Sequence, residues 1–297
     1  MNKNYGWKIS FSLAMVLGFC MAPLAHALII TPGSSIWKSD LQGNGKASIS
    51  ADNPRSGDAS LALQTTGSLP DWAFYTRYAG NDIATASWGM LSDVGSLSFD
   101  WYRKQVAIQP QYQNDVPWLA QTPVLNLYVR DVQNGSNVFS RLVWEKFYTD
   151  NSPAVTDTWV IQDVSTQNLW RYVDDAGYTV TDGSNKNPFF PDPLLAISLE
   201  SWLSHYSSQA VVYGIGVGAG SFWPDQYVGY VDNVVLGFRG QNDLSVNDNF
   251  ELINDENGSP SEVAVPEPSS LALLTGGGLL IVIGGFLRRG KKVDDCC

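Results

Sequence analysis

Very few side chains in this sequence have the chemistry of a catalytic group. His205 is the only histidine after residue 27 and therefore the only possible base of a serine triad. No G-x-S-x-G sequence, the turn that carries the nucleophilic serine in α/β-hydrolases, is present. Glycoside hydrolysis would need two carboxylates that face one cleft. The only glutamates between residues 28 and 240, Glu145 and Glu200, fall on a predicted strand and a predicted helix. We therefore predict no catalytic residue and no enzymatic activity.

Composition also limits the metals and partners that this chain could bind. Residues 28–295 contain no cysteine and one histidine, so no thiolate zinc site or other transition-metal site is predicted. Six of the 18 basic residues and two of the 29 acidic residues lie outside 28–287, which leaves that part with a net charge of −15. Such a surface repels phosphate backbones. Divalent cations or neutral sugars are therefore the favoured partners, and nucleic acid is not.

Tryptophan is the residue type that indicates a ligand, because flat aromatic rings stack on sugar rings. All of the eleven tryptophans except Trp7 lie in the central part of the chain. Those expected in the core, on predicted strands or on the apolar side of a predicted helix, are Trp101, Trp144, Trp159 and Trp202. Trp118 and Trp223 lie in turn-like sequences instead, so we predict that these two form a glycan-binding face.

Short runs of alternating apolar and polar residues must position these side chains. Period-2 alternation rich in branched and aromatic residues is typical of half-buried strands. The predicted strands are 60–65, 96–101, 123–130, 140–148, 159–163, 211–217 and 229–238. Strands without intervening helices predict an antiparallel β-sandwich, an all-β fold.

Two segments of the central region depart from the strand pattern. One short helix is predicted at 192–203, capped by Asp192 and with Pro193 in its first turn. The segment 241–264 is rich in Asn and Asp and is predicted to be an acidic linker. The predicted sandwich domain therefore spans 28–240.

Four short motifs in this domain resemble those of jelly-roll ectodomains, similar to carbohydrate-binding modules of the galactose-binding type. They are Ser56–Leu61, Gly95–Trp101, Gly214–Ser221 and Tyr230–Val234. The resemblance implies a jelly roll without enzymatic activity, and a structural calcium ion between an early loop and the last strand. The matching calcium positions are Asp58 and Asp232. Alternatively, Asp232 bonds to turn backbone and only stabilises the end of its strand.

The N-terminus has the three parts of a secretory signal peptide, 1–27. Lys3 and Lys8 precede an apolar stretch, and Ala25 and Ala27 supply the small residues at −3 and −1 of the cleavage site. The sequence therefore predicts export, with the mature chain starting at Leu28.

The C-terminus has three ordered elements within 265–292. Val265, Pro266, Glu267 and Pro268 precede an apolar transmembrane segment, 269–287, and a basic cluster, 288–292, that includes Arg288 and Arg289. The cluster keeps its end cytoplasmic, where the tail 293–297 follows. This order resembles the PEP-CTERM sorting signal, which implies processing by an exosortase. The alternative is a plain C-terminal membrane anchor.

Together these patterns predict a noncatalytic exported protein of the cell surface or extracellular space. The PEP-CTERM resemblance implies association with the exopolysaccharide of a biofilm matrix, and the jelly-roll resemblance implies weak glycan binding. Two alternatives stay open: a structural envelope component without a ligand, and a glycan-degrading enzyme. The first is favoured if every tryptophan of the domain is buried, and the second needs two facing carboxylates.

Overall fold

Fifteen strands form the framework of the described part of the chain. The computed structural model describes residues 27–66, 71–106, 119–149, 152–173, 196–220, 226–241 and 245–252. In chain order the strands are β1 (Leu28–Ile30), β2 (Trp37–Gln42), β3 (Lys46–Ser50), β4 (Ser60–Thr65), β5 (Trp72–Tyr78), β6 (Gly89–Met90), β7 (Val94–Arg103), β8 (Val124–Gln133), β9 (Ser136–Trp144), β10 (Trp159–Asp163), β11 (Asn168–Val173), β12 (Ile197–Ser198), β13 (Val211–Ala219), β14 (Tyr227–Phe238) and β15 (Val246–Phe250). Two short helices, α1 (Lys146–Thr149) and α2 (Leu199–Trp202), and 3-10 turns at Leu91–Asp93 and Leu203–His205 complete the described elements.

The strands divide between two sheets. In sheet A, β14 pairs on one side with β7, which pairs with β10, and on the other side with β4 and β15. β3 and β1 extend this sheet, and the pairing of β1 with β15 is parallel. Sheet B has the order β12-β11-β9-β8-β13-β5-β2, with β6 beside β13. The pairings in sheet B are antiparallel among the described strands.

The core lies between the two sheets, as the alternation predicts. In sheet B, Leu125 and Leu127 on β8 are fully buried, and in sheet A, Leu97 and Phe99 on β7 are buried to the same degree. Phe99 meets Trp144 of β9 edge-to-face with ring centroids 5.5 Å apart. Because successive strand residues face opposite sides, the remaining residues of each strand form the outer sides of the sandwich. The predicted all-β sandwich is therefore confirmed.

The predicted helix is much shorter than 192–203. α2 begins at Leu199, and Ile197 and Ser198 form β12 instead by pairing with Leu169 and Asn168 of β11. The cap within the described residues is Ser198, whose hydroxyl accepts the Ser201 N–H at 3.2 Å. The strand pairing and this cap set the start of the helix. Residues 192–195, with the predicted cap Asp192, lie outside the described residues.

Two other predicted boundaries are also wrong. The strand predicted at 140–148 ends at Trp144, after which 146–149 form α1. The predicted linker 241–264 contains β15, which pairs with β14 and β1, so the domain extends beyond 240. The sequence of β15 is polar and therefore predicts a linker rather than a strand. In the fold, however, Asp248 and Asn249 of this strand are buried. Residues 253–264 lie outside the described part of the chain.

The predicted signal peptide and the predicted C-terminal sorting signal lie mostly outside the described residues. These include the predicted signal up to His26 and the whole of 265–297. Ala27 is described; it is buried and directly precedes β1. Within the described ranges, no helix is long and apolar enough to cross a bilayer.

Candidate functional site

A row of three glycines marks the outer side of sheet B. On β13, Ile215 and Val217 are buried in the core, so Gly214, Gly216 and Gly218 point to the outer side. Their partners on β5 are Tyr78, Thr76 and Phe74, and their partners on β8 are Tyr128, Asn126 and Val124. We call Gly214, Gly216 and Gly218 the glycine row.

Aromatic rings lie directly against the backbone of the glycine row. A Cβ atom at Gly218 would overlap the Phe74 ring, and one at Gly214 would lie 2.8 Å from Cδ1 of Tyr78. Such distances are too short for a side chain, so only glycine lets these rings lie flat on the strand. The sequence of β13 therefore provides a recess that is filled by rings from β5.

Further rings extend this surface on both sides of β13. Tyr78 stacks on Tyr213 with centroids 6.0 Å apart and an interplanar angle of 5°. On β9 and β11 the outer side carries Arg141, Trp170 and Tyr172. The Arg141 guanidinium carbon lies 4.1 Å from the centre of the Tyr172 ring. We call the outer side of sheet B from Phe74 to Trp170, including the glycine row, the aromatic face.

Hydrogen-bonding groups are placed among the rings of the aromatic face. Thr76 Oγ1 and the Tyr128 hydroxyl are 3.2 Å apart and share a hydrogen bond. Asn126 is 1% exposed, and its Nδ2 has no hydrogen-bond partner among the described residues. An unpaired buried donor of this kind costs about 1–3 kcal/mol unless an acceptor reaches it. Thr76, Asn126 and Tyr128 are all buried, so the face combines aromatic rings with a few buried polar groups.

Glu145 follows β9 at the end of the aromatic face. Burial raises the pKa of Glu145 to about 7, and the approach of the Trp170 indole N–H lowers the pKa by less than burial raises it. The indole does not reach a fully formed hydrogen bond. Burial and the nearby Glu145 charge also raise the pKa of Tyr148, whose ring lies 5.9 Å from Trp170. At neutral pH the carboxyl can thus either donate or accept a hydrogen bond.

The structure places the tryptophans differently from the prediction in one respect. Trp101, Trp144 and Trp202 are buried, as expected. Trp159 is half-buried on the outer side of sheet A, where its register partner Tyr102 lies 5.7 Å away, so its assignment to the core was wrong. The physical reason is that successive strand residues face opposite sides of a sheet. Val160 faces the core beside Trp101, so its neighbour Trp159 faces outward.

The two predicted glycan-binding tryptophans, Trp118 and Trp223, lie outside the described residues. Trp170 is not among the predicted site residues, because the strand that carries it, β11, is not predicted from the sequence. The alternating glycines of β13 are visible in the sequence, where they form part of the jelly-roll motif Gly214–Ser221. A period of two in glycine marks one side of one strand.

The predicted calcium residues lie at one junction of the fold. Asp58 accepts the Leu252 N–H at 3.0 Å, and Asp232 accepts the Phe250 N–H at 2.9 Å. Glu251 completes the junction by accepting the backbone N–H groups of Asp58 and Ala59 at 2.7 and 3.0 Å. The loop before β4 is therefore joined to the end of β15, and Asp232, which lies inside β14, bonds the backbone of β15 rather than that of a turn.

Two buried oxygens at this junction have no hydrogen-bond donor among the described residues. They are Oδ2 of Asp232 and Oδ1 of Asn249. Burial raises the pKa of Asp232 to about 7, with smaller contributions from the charges of Glu251 and Asp100. Unpaired carboxylate and amide oxygens are the ligand type that calcium prefers. In the described residues, however, no three His, Cys, Asp or Glu side chains form a metal-binding group.

The other candidate catalytic side chains lie in separate places. His205 follows α2, with its ring 5.2 Å from that of Trp202. Glu200 is exposed on α2, while Glu145 is half-buried at the end of β9. The described contacts do not join these groups.

Comparison with known proteins finds similarity among solved structures. No family model matches the chain, and no curated protein does. A structure of carbohydrate-binding modules of the β-sandwich superfamily is 11% identical, with a TM-score of 0.33, and the match covers 71% of this chain and 61% of that chain. The family 11 carbohydrate-binding module of Clostridium thermocellum, in complex with a β-1,3-1,4-mixed-linked tetrasaccharide, is 11% identical over 67% of this chain and 89% of that chain, with a TM-score of 0.32. A β-1,2-glucanase from Parabacteroides distasonis is 8% identical over 69% of this chain and 23% of that chain, with a TM-score of 0.33.

Proposed function

We propose that this chain is a noncatalytic, exported protein that binds extracellular polysaccharide through the aromatic face. The observation that carries the proposal is the glycine row with rings of Phe74 and Tyr78 laid flat against it. A strand gives up side-chain packing area by placing glycine at three alternate positions. In return, the aromatic rings of the neighbouring strand can cover the glycines and form a surface that suits the apolar faces of sugar rings.

The polar groups of the face would then orient the bound glycan. The Thr76 and Tyr128 hydroxyls, which are 3.2 Å apart, and the Arg141 guanidinium beside the Tyr172 ring are the polar groups placed among the rings. Glu145 would accept from or donate to a hydroxyl according to its protonation state. Stacking area with a few directed polar groups is the usual composition of a small-molecule site.

A matched pair of tryptophan variants tests this face. We expect Trp170→Ala to weaken the affinity of the full chain about tenfold, equivalent to about 1.4 kcal/mol. The ligand is the exopolysaccharide purified from the cells that make this protein. Trp159→Ala removes a half-buried tryptophan from the opposite sheet and should change affinity less than twofold. Affinity electrophoresis of both variants, with thermal melts as folding controls, measures the difference. Equal losses would count against the aromatic face, and no binding by the wild type would favour a structural envelope component.

We further propose that calcium binds at the junction of the Asp58 loop and β15. The unpaired oxygens of Asp232 and Asn249 would hold it, with the carboxylates of Asp58 and Glu251 nearby. The ion would supply positive charge to a cluster of buried acids and so fix the first loop to the last strand. The pH and calcium dependence of stability, given in the Discussion, tests this site.

Export and sorting are also part of the proposal, and the sequence of the two ends supports them. We propose that the signal is removed after Ala27 and that an exosortase processes the chain at 265–268. Intact-mass measurement of the protein from its producing cells should show an N-terminus at Leu28 and loss of the basic cluster. Glu267→Ala should leave the unprocessed C-terminus in the membrane fraction. A wild-type chain that retains Arg288 and Arg289 would instead indicate a plain membrane anchor.

A further inference from the structure

One edge of sheet A is formed by a strand that has a neighbour on one side only. β10 pairs with β7, and on its other side it has no strand partner among the described residues. We propose that β10 is a dimerisation strand, which pairs antiparallel with β10 of a second copy of this chain and joins the two A sheets into one. The inference goes beyond glycan binding, because it assigns an interface that the proposed function does not need.

The main chain of β10 directs part of its hydrogen-bonding groups away from β7. Val164 continues the register of the two strands and donates its N–H to a β7 carbonyl at 2.8 Å, which marks a hydrogen-bonded pair. Because such pairs alternate in an antiparallel ladder, Trp159, Ile161 and Asp163 direct their N–H and C=O groups to the other side. The Asp163 carbonyl accepts the side-chain amide of Gln162 there, at 3.1 Å. These groups form a template to which a further strand can add.

The other edge strands of the described sheets carry features that discourage such pairing, and β10 does not. Natural edges are blocked by charged side chains or by very short strands. Exposed charges lie on β2, at Lys38 and Asp40, and on β3, at Lys46. β1, β6 and β12 have only three, two and two residues. β10 has five residues, WVIQD, with its one charge at the last position, so its composition is typical of a strand that is paired on both sides.

An apolar side chain lies at the centre of β10. Ile161 is 63% exposed and is the most exposed of the large apolar side chains in the described ranges. Antiparallel pairing of two identical strands has a two-fold axis, which in this register passes between Ile161 and its copy. The same register places Trp159 opposite Asp163 of the second copy. Dimerisation therefore buries Ile161 against the same residue of the partner, so one surface serves on both copies.

Charge complementarity favours a second copy as the partner in this register. The guanidinium carbon of Arg55 lies 6.0 Å from the centre of the Trp159 ring, and its Nε donates to Asp100 at 2.9 Å. Because Trp159 faces Asp163 of the second copy, the partly exposed Arg55 side chain comes beside an exposed carboxylate. The two-fold axis repeats this contact. It opposes the repulsion between two copies of net charge −11, which physiological salt screens beyond about 8 Å.

A dimer of this kind makes the protein bivalent. The aromatic face belongs to sheet B and β10 to sheet A, so strand pairing leaves the aromatic face of each copy outside the interface. If each copy binds polysaccharide as proposed above, one dimer holds two polymer chains and cross-links them. This consequence rests on the proposed function, whereas the dimer itself does not.

Sedimentation of the full chain tests the interface with a matched pair of variants. We expect the wild type to be dimeric at micromolar concentration. Ile161→Lys places two like charges opposite each other and should weaken dimerisation at least tenfold. Leu41→Lys introduces the same charge at an apolar residue of the edge strand β2 that is 46% exposed, and it should change the dimer affinity less than twofold. Thermal melts show whether both variants are folded.

A cysteine at the two-fold axis tests the register. Cys20, Cys296 and Cys297 are first replaced with serine, so that the introduced thiol is the only one in the chain. Ile161→Cys should then give a disulfide-linked dimer on mild oxidation, because the Cα atoms of a hydrogen-bonded pair lie about 5.5 Å apart, within the range that a disulfide spans. Leu41→Cys should remain uncross-linked under the same conditions.

The outcomes distinguish this inference from the proposed function. A wild type that is monomeric at about 100-fold above micromolar concentration, or a folded Ile161→Lys that dimerises as tightly as the wild type, would overturn the β10 interface. Glycan binding by each copy would be unaffected in either case. Conversely, a chain that dimerises through β10 but binds no polysaccharide would overturn the proposed function and leave the interface in place. Ile161→Lys should retain the affinity for a short oligosaccharide and lose the ability to precipitate the polymer.

Discussion

Replacing Arg77 with alanine is expected to destabilise the fold by about 3–5 kcal/mol, because it leaves a buried carboxylate without its cation. Arg77 Nη1 donates to both carboxylate oxygens of Asp248, at 2.6 Å to Oδ2. Asp248 is fully buried and also accepts the indole N–H of Trp37 at 2.6 Å. Arg77 and Trp37 belong to sheet B and Asp248 to sheet A, so this cluster joins the two sheets.

A double substitution provides the control for that prediction. Arg77→Met with Asp248→Leu removes both charges and replaces them with apolar groups, so we expect it to recover most of the lost stability. Urea unfolding of the two single variants and the double variant gives a double-mutant cycle. A loss below about 1 kcal/mol in folded Arg77→Ala would show that the pair contributes no more than a surface ion pair.

The stability of the protein without added metal is expected to fall as the pH rises from about 4 to about 8. Burial raises the pKa of Asp232 to about 7, and it also raises the pKa values of Asp248, Asp100 and Glu251. A carboxyl with a raised folded-state pKa is neutral in both states at low pH, and its deprotonation penalises only the folded state. For Asp232 alone this loss is on the order of 4 kcal/mol. Thermal melts across this range in a chelator measure the slope.

Calcium and an isosteric variant separate the contributions to that slope. At pH 7.5, calcium should raise the melting temperature of the wild type, because an ion that binds only the folded state stabilises it by mass action. Asp232→Asn keeps the acceptor for the Phe250 N–H and should abolish the calcium response. It should also remove the contribution of Asp232 to the slope of the pH profile, while the other carboxyls with raised pKa values, including Glu145, keep theirs. A steep profile with no calcium response would mean that the acidic junction functions without a metal. A flat wild-type profile would contradict the raised pKa values.

Local patterns in the sequence were sufficient to predict the sandwich. The strands predicted at 60–65 and 159–163 have those bounds in the structure. β15 was missed because Val246–Phe250 contains two buried polar residues, Asp248 and Asn249, and the partners of Asp248, Trp37 and Arg77, are distant in sequence. Composition indicates disorder for such a segment, whereas the contacts of Asp248 with Arg77 and Trp37 and the pairing of β15 with β14 and β1 order it.

The candidate site needed the register of the strands as well as the sequence. The glycine row is visible in Gly214–Gly218, but the rings that cover it come from β5, more than 130 residues earlier. Trp159 and Trp170 face outward, whereas Trp101 and Trp144 face the core, so a tryptophan on a strand can face either side and only pairing decides which. Trp118 and Trp223 stay predictions of the sequence.

The most direct measurement is a titration of the isotope-labelled protein with an oligosaccharide prepared from the exopolysaccharide of its producing cells, followed by backbone amide chemical shifts. We expect the largest shift changes at the glycine row and at Phe74, Tyr128 and Trp170 on the aromatic face. Changes centred instead on Trp159 on the outer side of sheet A would place the site on the wrong sheet. No saturable changes at millimolar oligosaccharide would contradict glycan binding by the described domain.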